Sequence, residues 1–300
     1  MSINTLLTTK KYTDALDLVY TQKSVVSFLQ DNALRTKFVG TKQVSIPDVD
    51  FVGLVDYDRD NGFARGAIAV KEKVFELTKD RARSLQIDRE DMDEQGVANL
   101  AGKILGEFVR TKVVPECDAY VLSQLFSFAT AANNAKNYTV GKEYKQLTEA
   151  VNNVRKIVGY DEELVAFVES DFYAALENST EVSKHITVSD FKKGEINTRV
   201  KTINGVSLIP VVPERMKSAY NFEVEGTGGF TATDGATQVK LIVMPKSGAH
   251  LVKKTEQMRV FTPEQNLDAD AYKFDYRIYY DVFVKKSEEE SIQALFAENA

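Results

Sequence analysis

The sequence contains one cysteine, two histidines and no tryptophan in 300 residues. With Cys117 alone, neither an intrachain disulfide nor a cysteine-rich metal site can form, and we expect a small, semi-buried apolar residue. His185 and His250 lie far apart, each without a metal-ligating companion nearby, so we expect surface or structural roles for both. These scarcities exclude disulfide scaffolds and cysteine-based metal centres.

Long hydrophobic runs and targeting signals are missing as well. No run of about eighteen apolar residues occurs, so no transmembrane helix and no membrane partner are predicted. Residues 1–11 lack a basic start followed by an apolar segment, which a secretory signal requires. We therefore expect a chain that is made and matures in a cytoplasm.

Recognisable catalytic and nucleotide-binding motifs are also lacking. The glycine-rich run 225–235 has neither the Gly-Lys-Ser/Thr of a Walker loop nor a strand–turn–helix setting, so we predict a mobile loop over 214–237. No His/Cys or Ser/His/Asp set shares a local frame. A glycosidase-like carboxylate pair stays open, although most carboxylates stand beside lysine or arginine. We predict no catalytic, cofactor-binding or metal-binding residues, and no enzyme.

The composition is that of an ordinary soluble globular chain. Apolar residues make up 43% and charged residues 27%, which provides a sizeable core and excludes disorder of the whole chain. The net charge of −6 gives no general attraction to nucleic acid. Residues 1–42 hold six basic against three acidic side chains. This local excess could face nucleic acid or be solvated surface.

A long hairpin is predicted near the start of the chain. Strand-like alternation begins at Lys42 and reaches Asn61-Gly62, the strongest short turn signal in the sequence. The return run extends over 67–77, and alternation at 84–88 indicates that the return strand continues to Asp88. Extended, residues 44–58 would span roughly 50 Å, whereas a compact chain of this length has a radius of gyration of about 19 Å. We therefore predict that the hairpin projects onto a partner.

A charged segment and a long helix follow the hairpin. Arg81, Arg83 and Arg89 can each make forked contacts with carboxylates, either as solvated surface or as contacts between subunits that set register and partner choice. We interpret the segment as a hinge. Asp91 or Asp93 then caps an amphipathic helix of about five turns, ended by Pro115, with a second helix behind it.

The remainder predicts an α/β module and a returning strand. Its expected elements are a helix over 142–158, a strand over 163–168, a helix capped by Ser170 or Asp171, a hairpin over 196–213, a strand over 239–244, a strand or helix over 249–261, a strand over 273–286, and a last helix capped by Ser287. The alternation at 273–286 is the best strand signal in the sequence.

The order of these parts resembles that of the Hong Kong 97-type major capsid proteins of tailed bacteriophages. Four runs carry the resemblance, which covers essentially the whole chain: Phe75–Asp88, Val113–Tyr120, Gly205–Pro213 and Tyr276–Phe283. The resemblance implies an α+β capsid fold without an active site. Its parts would be an N-terminal arm (1–41), an E-loop hairpin (42–88), a peripheral (P) domain with a spine helix (89–137), an axial (A) domain (138–244) and a return to the P-domain (245–300).

The resemblance also implies a function and partners. The protein would assemble with itself into hexamers and pentamers of an icosahedral virion shell around double-stranded DNA, in a bacterial host cytoplasm. A portal and a scaffolding protein are expected partners; about forty residues precede the hairpin, so a scaffolding segment is either separate or already removed. The E-loop would lie over a neighbouring subunit, and 221–235 would approach the capsomer axis. The inter-subunit contact candidates are Asp56, Arg59, Asn61, Gly62, Arg65, Arg81, Arg83, Arg89, Phe222 and Phe230.

Two other interpretations stay open. An encapsulin, a bacterial shell of the same fold, encloses cargo enzymes instead of DNA. A soluble α+β enzyme or binding protein would act as a monomer or a small oligomer. Particle formation separates the shells from the soluble protein, and particle contents separate the two kinds of shell.

Overall fold

Fifteen strands and four α-helices are assigned in a computed structural model that describes residues 23–30, 37–39, 42–50, 52–57, 59, 69–90, 105–179, 186–193, 196–222 and 228–297. The strands are β1 (Lys37–Val39), β2 (Gln43–Asp50), β3 (Ala69–Glu76), β4 (Lys79–Asp88), β5 (Ala135–Asn137), β6 (Leu164–Glu169), β7 (Ile186–Lys193), β8 (Ile196–Ile203), β9 (Val206–Val211), β10 (Tyr220–Asn221), β11 (Thr231–Ala232), β12 (Gln238–Pro245), β13 (His250–Phe261), β14 (Ala271–Phe283) and β15 (Gln293–Ala297). The helices are α1 (Val114–Ala131), α2 (Glu143–Val158), α3 (Ser170–Asn178) and α4 (Lys286–Glu289).

The described strands form four sheets. The largest has seven strands in the order β5-β15-β12-β6-β9-β8-β7. Two sheets have three strands each, in the orders β13-β14-β4 and β1-β2-β3, and β10 pairs with β11. The β1-β2-β3 sheet contains the predicted hairpin, in which β2 and β3 pair antiparallel from Gln43↔Glu76 to Asp50↔Ala69.

Helix α1 lies at the centre of the main core. Its Leu122 and Leu125 share one buried cluster with Phe167 of the seven-stranded sheet and with Phe274 and Tyr280 of β14. The alternation predicted for β14 is confirmed, because all six residues of its predicted inner face are buried: Phe274, Tyr276, Ile278, Tyr280, Val282 and Val284. Helices α2 and α3 cover the seven-stranded sheet through a second apolar cluster.

The prediction that Pro115 ends the long helix is wrong. Residues 105–108 are helical, Val109–Val113 form a π-helical turn, and α1 continues directly from Val114. Proline lacks an N–H and its ring collides with the carbonyl four residues earlier, so an undistorted α-helix cannot pass through it. The wider π-turn, in which the Val114 N–H donates to the Val109 carbonyl, lets the helix continue. The predicted caps Asp91 and Asp93 lie outside the described residues.

The return strand of the hairpin is shorter than predicted. It stops at Glu76, and β4 pairs instead with β14, from Lys79↔Tyr280 to Asp88↔Ala271. Residues 79–88 are therefore a strand of the body and not a charged hinge. A period of two identifies a strand but does not name its partner, and Leu85 and Ile87 pack against the main core.

Several smaller elements also differ from the prediction. Helix α3 is capped by Glu169, whose carboxylate accepts a hydrogen bond from the Phe172 N–H. The predicted C-terminal helix is the short α4, which begins after Lys285 without a side-chain cap. Strand β15, which follows it, pairs antiparallel with β12 and parallel with β5. Strands β1, β5 and β7 were not predicted, and the segment 214–237, predicted as a mobile loop, contains the paired strands β10 and β11.

The remaining predicted elements are confirmed. Helix α2, strand β6 and strand β12 lie where the sequence places them, and β13 settles the open choice at 249–261 in favour of a strand. The β8–β9 turn has Asn204 at φ 53° and Gly205 at φ 77°, the left-handed conformations that an Asn-Gly hairpin turn requires.

Candidate assembly interface

The hairpin of β1, β2 and β3, with the segment 52–57, is anchored to the body by a small apolar cluster. Val44 and Leu77 of the hairpin base are buried against three residues of the β13–β14 pair: Val252, Tyr279 and Phe283. The Phe75 and Phe283 rings are 4.9 Å apart between centroids. This contact explains why the outer face of β14 is also apolar near its end.

Beyond this base, the hairpin carries exposed apolar side chains. The exposed fractions are 67% for Val52, 106% for Leu54, 71% for Val55 and 60% for Tyr57. Six of the eleven exposed large hydrophobic residues in the described chain lie on the hairpin, including Phe38 and Val74 of its strands. Such a concentration on one element is typical of a surface that contacts another protein.

The joint between hairpin and body is formed by Leu77 and Thr78, which separate β3 from β4. The N–H and hydroxyl of Thr78 both donate to Asp281 Oδ2, each at 2.8 Å. The Tyr120 hydroxyl of α1 donates to Asp281 Oδ1 at 2.7 Å, and the Val282 N–H donates to the same oxygen at 2.8 Å. One buried carboxylate on β14 therefore binds the joint and the central helix together.

Tyr120 also belongs to an aromatic cluster at the start of β4. The Lys79 ammonium lies 5.0 Å from the centroid of the Tyr120 ring and 4.5 Å from that of Phe222. The Phe230 ring lies 5.4 Å from that of Tyr220. The two predicted contact residues, Phe222 and Phe230, thus pack against rings of their own chain, and residues 223–227 of this loop lie outside the described residues.

Burial and the adjacent Asp281 carboxylate both affect the pKa of the Tyr120 hydroxyl. Desolvation, followed by the charge of Asp281, raises the pKa of Tyr120 above its ordinary value. Tyr120 therefore stays protonated and keeps donating throughout the range in which proteins are handled. Burial likewise raises the pKa of Cys117 to about 12, as expected of an inert structural thiol.

The predicted arginine contacts divide into three cases. Arg81 is used inside the chain, with Nε 2.6 Å from Glu116 Oε1 and Nη2 3.5 Å from the Gly229 carbonyl. Arg89 pairs loosely with Asp270 at 3.8 Å, and both side chains are exposed. Arg83 is exposed and lies beside the loop at Gly228.

The remaining predicted contacts belong to the hairpin. Asp56 and Arg59 are exposed, as a contact between subunits requires. Asn61, Gly62 and Arg65 lie outside the described residues.

The role of a second buried carboxylate, Asp118, was not predicted from the sequence. It accepts from the Ser24 hydroxyl at 2.6 Å and the Val25 N–H at 3.3 Å, and it pairs with Arg215 at 3.2 Å. It therefore joins the N-terminal segment and the loop after β9 to α1. An acidic residue between Cys117 and Ala119, which are both buried, is the signal that could have revealed it.

The described residues contain no cluster of histidine, cysteine, aspartate and glutamate that could hold a metal ion. Within the same ranges, no helix combines the length and apolar character needed to span a membrane. The joint brings together the Asp281 carboxylate, the groups that donate hydrogen bonds to it, and the Lys79 ammonium against aromatic rings. These contacts hold elements in place.

No protein-family model and no curated protein matches the sequence. Solved structures do match. The capsid of the cyanophage P-SCSP1u aligns with a TM-score of 0.60 at 12% identity, over 88% of this chain and 86% of that chain. The mature capsid of bacteriophage PhiM1 aligns with a TM-score of 0.56 at 15% identity, over 87% and 83%. A virus-like particle from Pyrococcus furiosus aligns with a TM-score of 0.50 at 12% identity, over 96% and 98%.

These likenesses identify the fold. The chain has the α+β, Hong Kong 97-like fold of phage major capsid proteins, as the order of its sequence elements predicted. The match runs over most of the chain.

Proposed function

We propose that this protein is the major capsid protein of a tailed bacteriophage, a structural subunit that assembles with copies of itself into a closed shell. The observation that carries the proposal is the hairpin, which is anchored at its base and exposes Val52, Leu54 and Val55. A monomeric protein gains nothing from such a surface, whereas a shell subunit buries it on a neighbour. The capsid fold supports the same conclusion.

The finer features of the proposal follow the fold. Subunits form hexamers and pentamers of an icosahedral virion, assembled in the bacterial cytoplasm with a scaffolding protein and a portal. Double-stranded DNA is enclosed without sequence-specific contacts, consistent with a net charge of −6. The subunit has no catalytic role. The hairpin lies over the neighbouring subunit, with Asp56 and Arg59 among its contacts.

A second candidate is a shell of the encapsulin type, which encloses cargo proteins. It is favoured by the alignment with the Pyrococcus furiosus virus-like particle, which covers 96% of this chain and 98% of that one. The two candidates share the subunit fold and differ in what the shell contains.

Electron microscopy of the expressed protein, alone and with its candidate scaffolding protein, tests the proposal. We expect closed particles of uniform size, with DNA in particles recovered from infected cells. Particles that hold a protein cargo and no nucleic acid would favour the encapsulin. A stable monomer of about 34 kDa under every assembly condition would disprove both.

A further inference from the structure

We propose that Asp281, through Thr78 and Tyr120, is the positioning residue that sets the direction in which the hairpin leaves the subunit. This inference rests on the proposed shell function for its biological meaning, but its geometry belongs to the single chain. The joint has two kinds of contact, apolar and polar, and they do different things.

The apolar contact holds the hairpin without fixing its angle. Val44 and Leu77 are buried against the β13–β14 pair, and burial of apolar surface is a non-directional attraction. Two smooth surfaces of this kind tolerate small rotations, because most of the buried area survives them. The cluster therefore explains why the hairpin stays attached, but not why it points one way.

The polar contact fixes the angle, because hydrogen bonds weaken steeply when they are bent. Both donors of Thr78 converge on Asp281 Oδ2 at 2.8 Å, so this residue is bound at its backbone and its side chain together. The residue before it is bound as well: the Tyr279 hydroxyl donates to the Leu77 carbonyl at 2.9 Å. Three directional bonds therefore meet at two consecutive residues.

The carboxylate is itself held in place. The Tyr120 hydroxyl and the Val282 N–H both donate to Oδ1, and Asp281 is 4% exposed. The residue after Thr78 is also fixed, because the Lys79 ammonium lies against the Tyr120 and Phe222 rings. The joint is thus tied to the central helix α1.

Because the hairpin is long, a small rotation at this joint displaces its far end by a large distance. Strand β2 has eight residues and extends about 26 Å at roughly 3.3 Å per residue. A rotation of about 10° at Thr78 moves the far end of the strand by about 5 Å, a full strand spacing. The exposed residues 52–57 would then miss the surface that they are shaped to contact.

Pulsed electron–electron resonance on the full chain tests the inference directly. Spin labels are placed by Gly53→Cys, where an added Cβ has no neighbour within 4 Å, and by Glu149→Cys on the exposed side of α2, while buried Cys117 remains unlabelled. The measurement is made below the concentration at which particles form. We expect one narrow distance distribution in the otherwise unchanged protein.

Thr78→Val removes the hydroxyl donor and keeps the shape of the side chain, whereas Thr78→Ser keeps the hydroxyl. We expect Thr78→Val to broaden the distribution or shift it by about 5 Å, and Thr78→Ser to leave it unchanged. Val154→Ala, in the buried cluster of α2, lowers the melting temperature and should leave the distances unchanged. An identical distribution in Thr78→Val, or equal broadening in Val154→Ala, would overturn the proposal.

Particle assembly gives a second readout. Thr78→Val should reduce the yield of closed particles, and Thr78→Ser should restore it. If the distances change as expected but neither the unchanged protein nor any variant forms particles, the positioning role of the joint is confirmed and the proposed shell function fails. If particles form normally while the distances stay fixed, the shell function stands and the positioning role fails.

Discussion

Two buried carboxylates, Asp118 and Asp281, connect parts of the chain that are far apart in sequence. Asp118 joins Ser24, which precedes it by 94 residues, to α1, and Asp281 binds Thr78, 203 residues earlier. A buried charge is tolerated only when its oxygens are satisfied. Each carboxylate meets that condition with donors from several elements, so each selects one arrangement of those elements.

Replacing Asp118 by alanine should destabilise the folded chain strongly. The change leaves Arg215 and the Ser24 hydroxyl without the acceptor that they contact, which costs about 3 kcal/mol when one member of a buried pair is lost. Urea denaturation followed by circular dichroism measures the loss. Glu149→Ala, in an exposed pair with Lys145, is the control and should not move the midpoint.

The exposed Asp80–Arg277 pair predicts a small pH dependence. The hydrogen bond from Arg277 lowers the pKa of Asp80 from its ordinary value of 3.8. A lowered carboxyl pKa contributes stability that is complete above the unfolded pKa and disappears as the pH falls through the folded one. Asp80→Asn should therefore lower the melting temperature at about pH 6, and the difference should shrink as the pH falls below 3.8 and vanish once Asp80 is protonated in the folded chain. A difference that persists at the lower pH would contradict this.

At the scale of elements, most strand patterns and the two hairpin pairings were predictable, whereas pairing between strands far apart in sequence was not. The alternation of β14 gave its inner face, whereas its bounds, predicted as 273–286, are Ala271–Phe283. The alternation of β4 identified a strand but not its partner β14, which comes nearly two hundred residues later. Strand β15 has five residues, too few for its period to be distinguished from that of a helical turn.

For the candidate interface, too, some features could be predicted from the sequence and others could not. The exposure of Asp56 agrees with its place near the predicted turn, whereas projection of the hairpin onto a partner stays a prediction. The roles of Arg81 and Phe222 did not, because their partners Glu116 and Tyr120 come from other elements. Sequence spacing carries no information about such contacts.

Two glycine-to-alanine changes in different elements should have opposite effects. Gly205 has φ 77° in the β8–β9 turn, where alanine costs about 1–2 kcal/mol. Gly106 lies in the helical residues 105–108, and an added Cβ there has no neighbour within 4 Å, so alanine should stabilise the helix by about 1 kcal/mol. Thermal melts of both variants measure the two changes in melting temperature, which should be opposite in sign. Two changes of the same sign would show that backbone conformation does not determine the effect of these substitutions.

At the scale of the whole molecule, the apolar core is distributed unevenly between the body and the hairpin. Most of the core lies in two clusters around α1 and α2, while the hairpin contributes only a small cluster at its base. Changes on the outer hairpin should therefore affect assembly without affecting folding.

The paired change Leu54→Ser and Val55→Ser tests this separation. Both side chains are largely exposed, so the melting temperature of the subunit should stay the same, whereas the yield of particles in electron micrographs should fall. Val140→Ser, at an equally exposed position (81%) outside the hairpin, is the matched control and should assemble normally. A lower melting temperature in the paired variant would place these residues in the folded core.

The position of β15 has a consequence for how the protein is made. This strand lies between β12 and β5 and is hydrogen-bonded to both, so the seven-stranded sheet is incomplete until residues 293–297 have been synthesised. At about 5–20 residues per second, translation reaches β15 roughly 2–10 s after β12 has been synthesised. During that interval the nascent chain exposes the edge of β12 in a crowded polysome, where neighbouring nascent chains present the same edge. The seven-stranded sheet is therefore completed only once β15 has been synthesised, and ribosome-associated chaperones are the factors that would protect the chain until then.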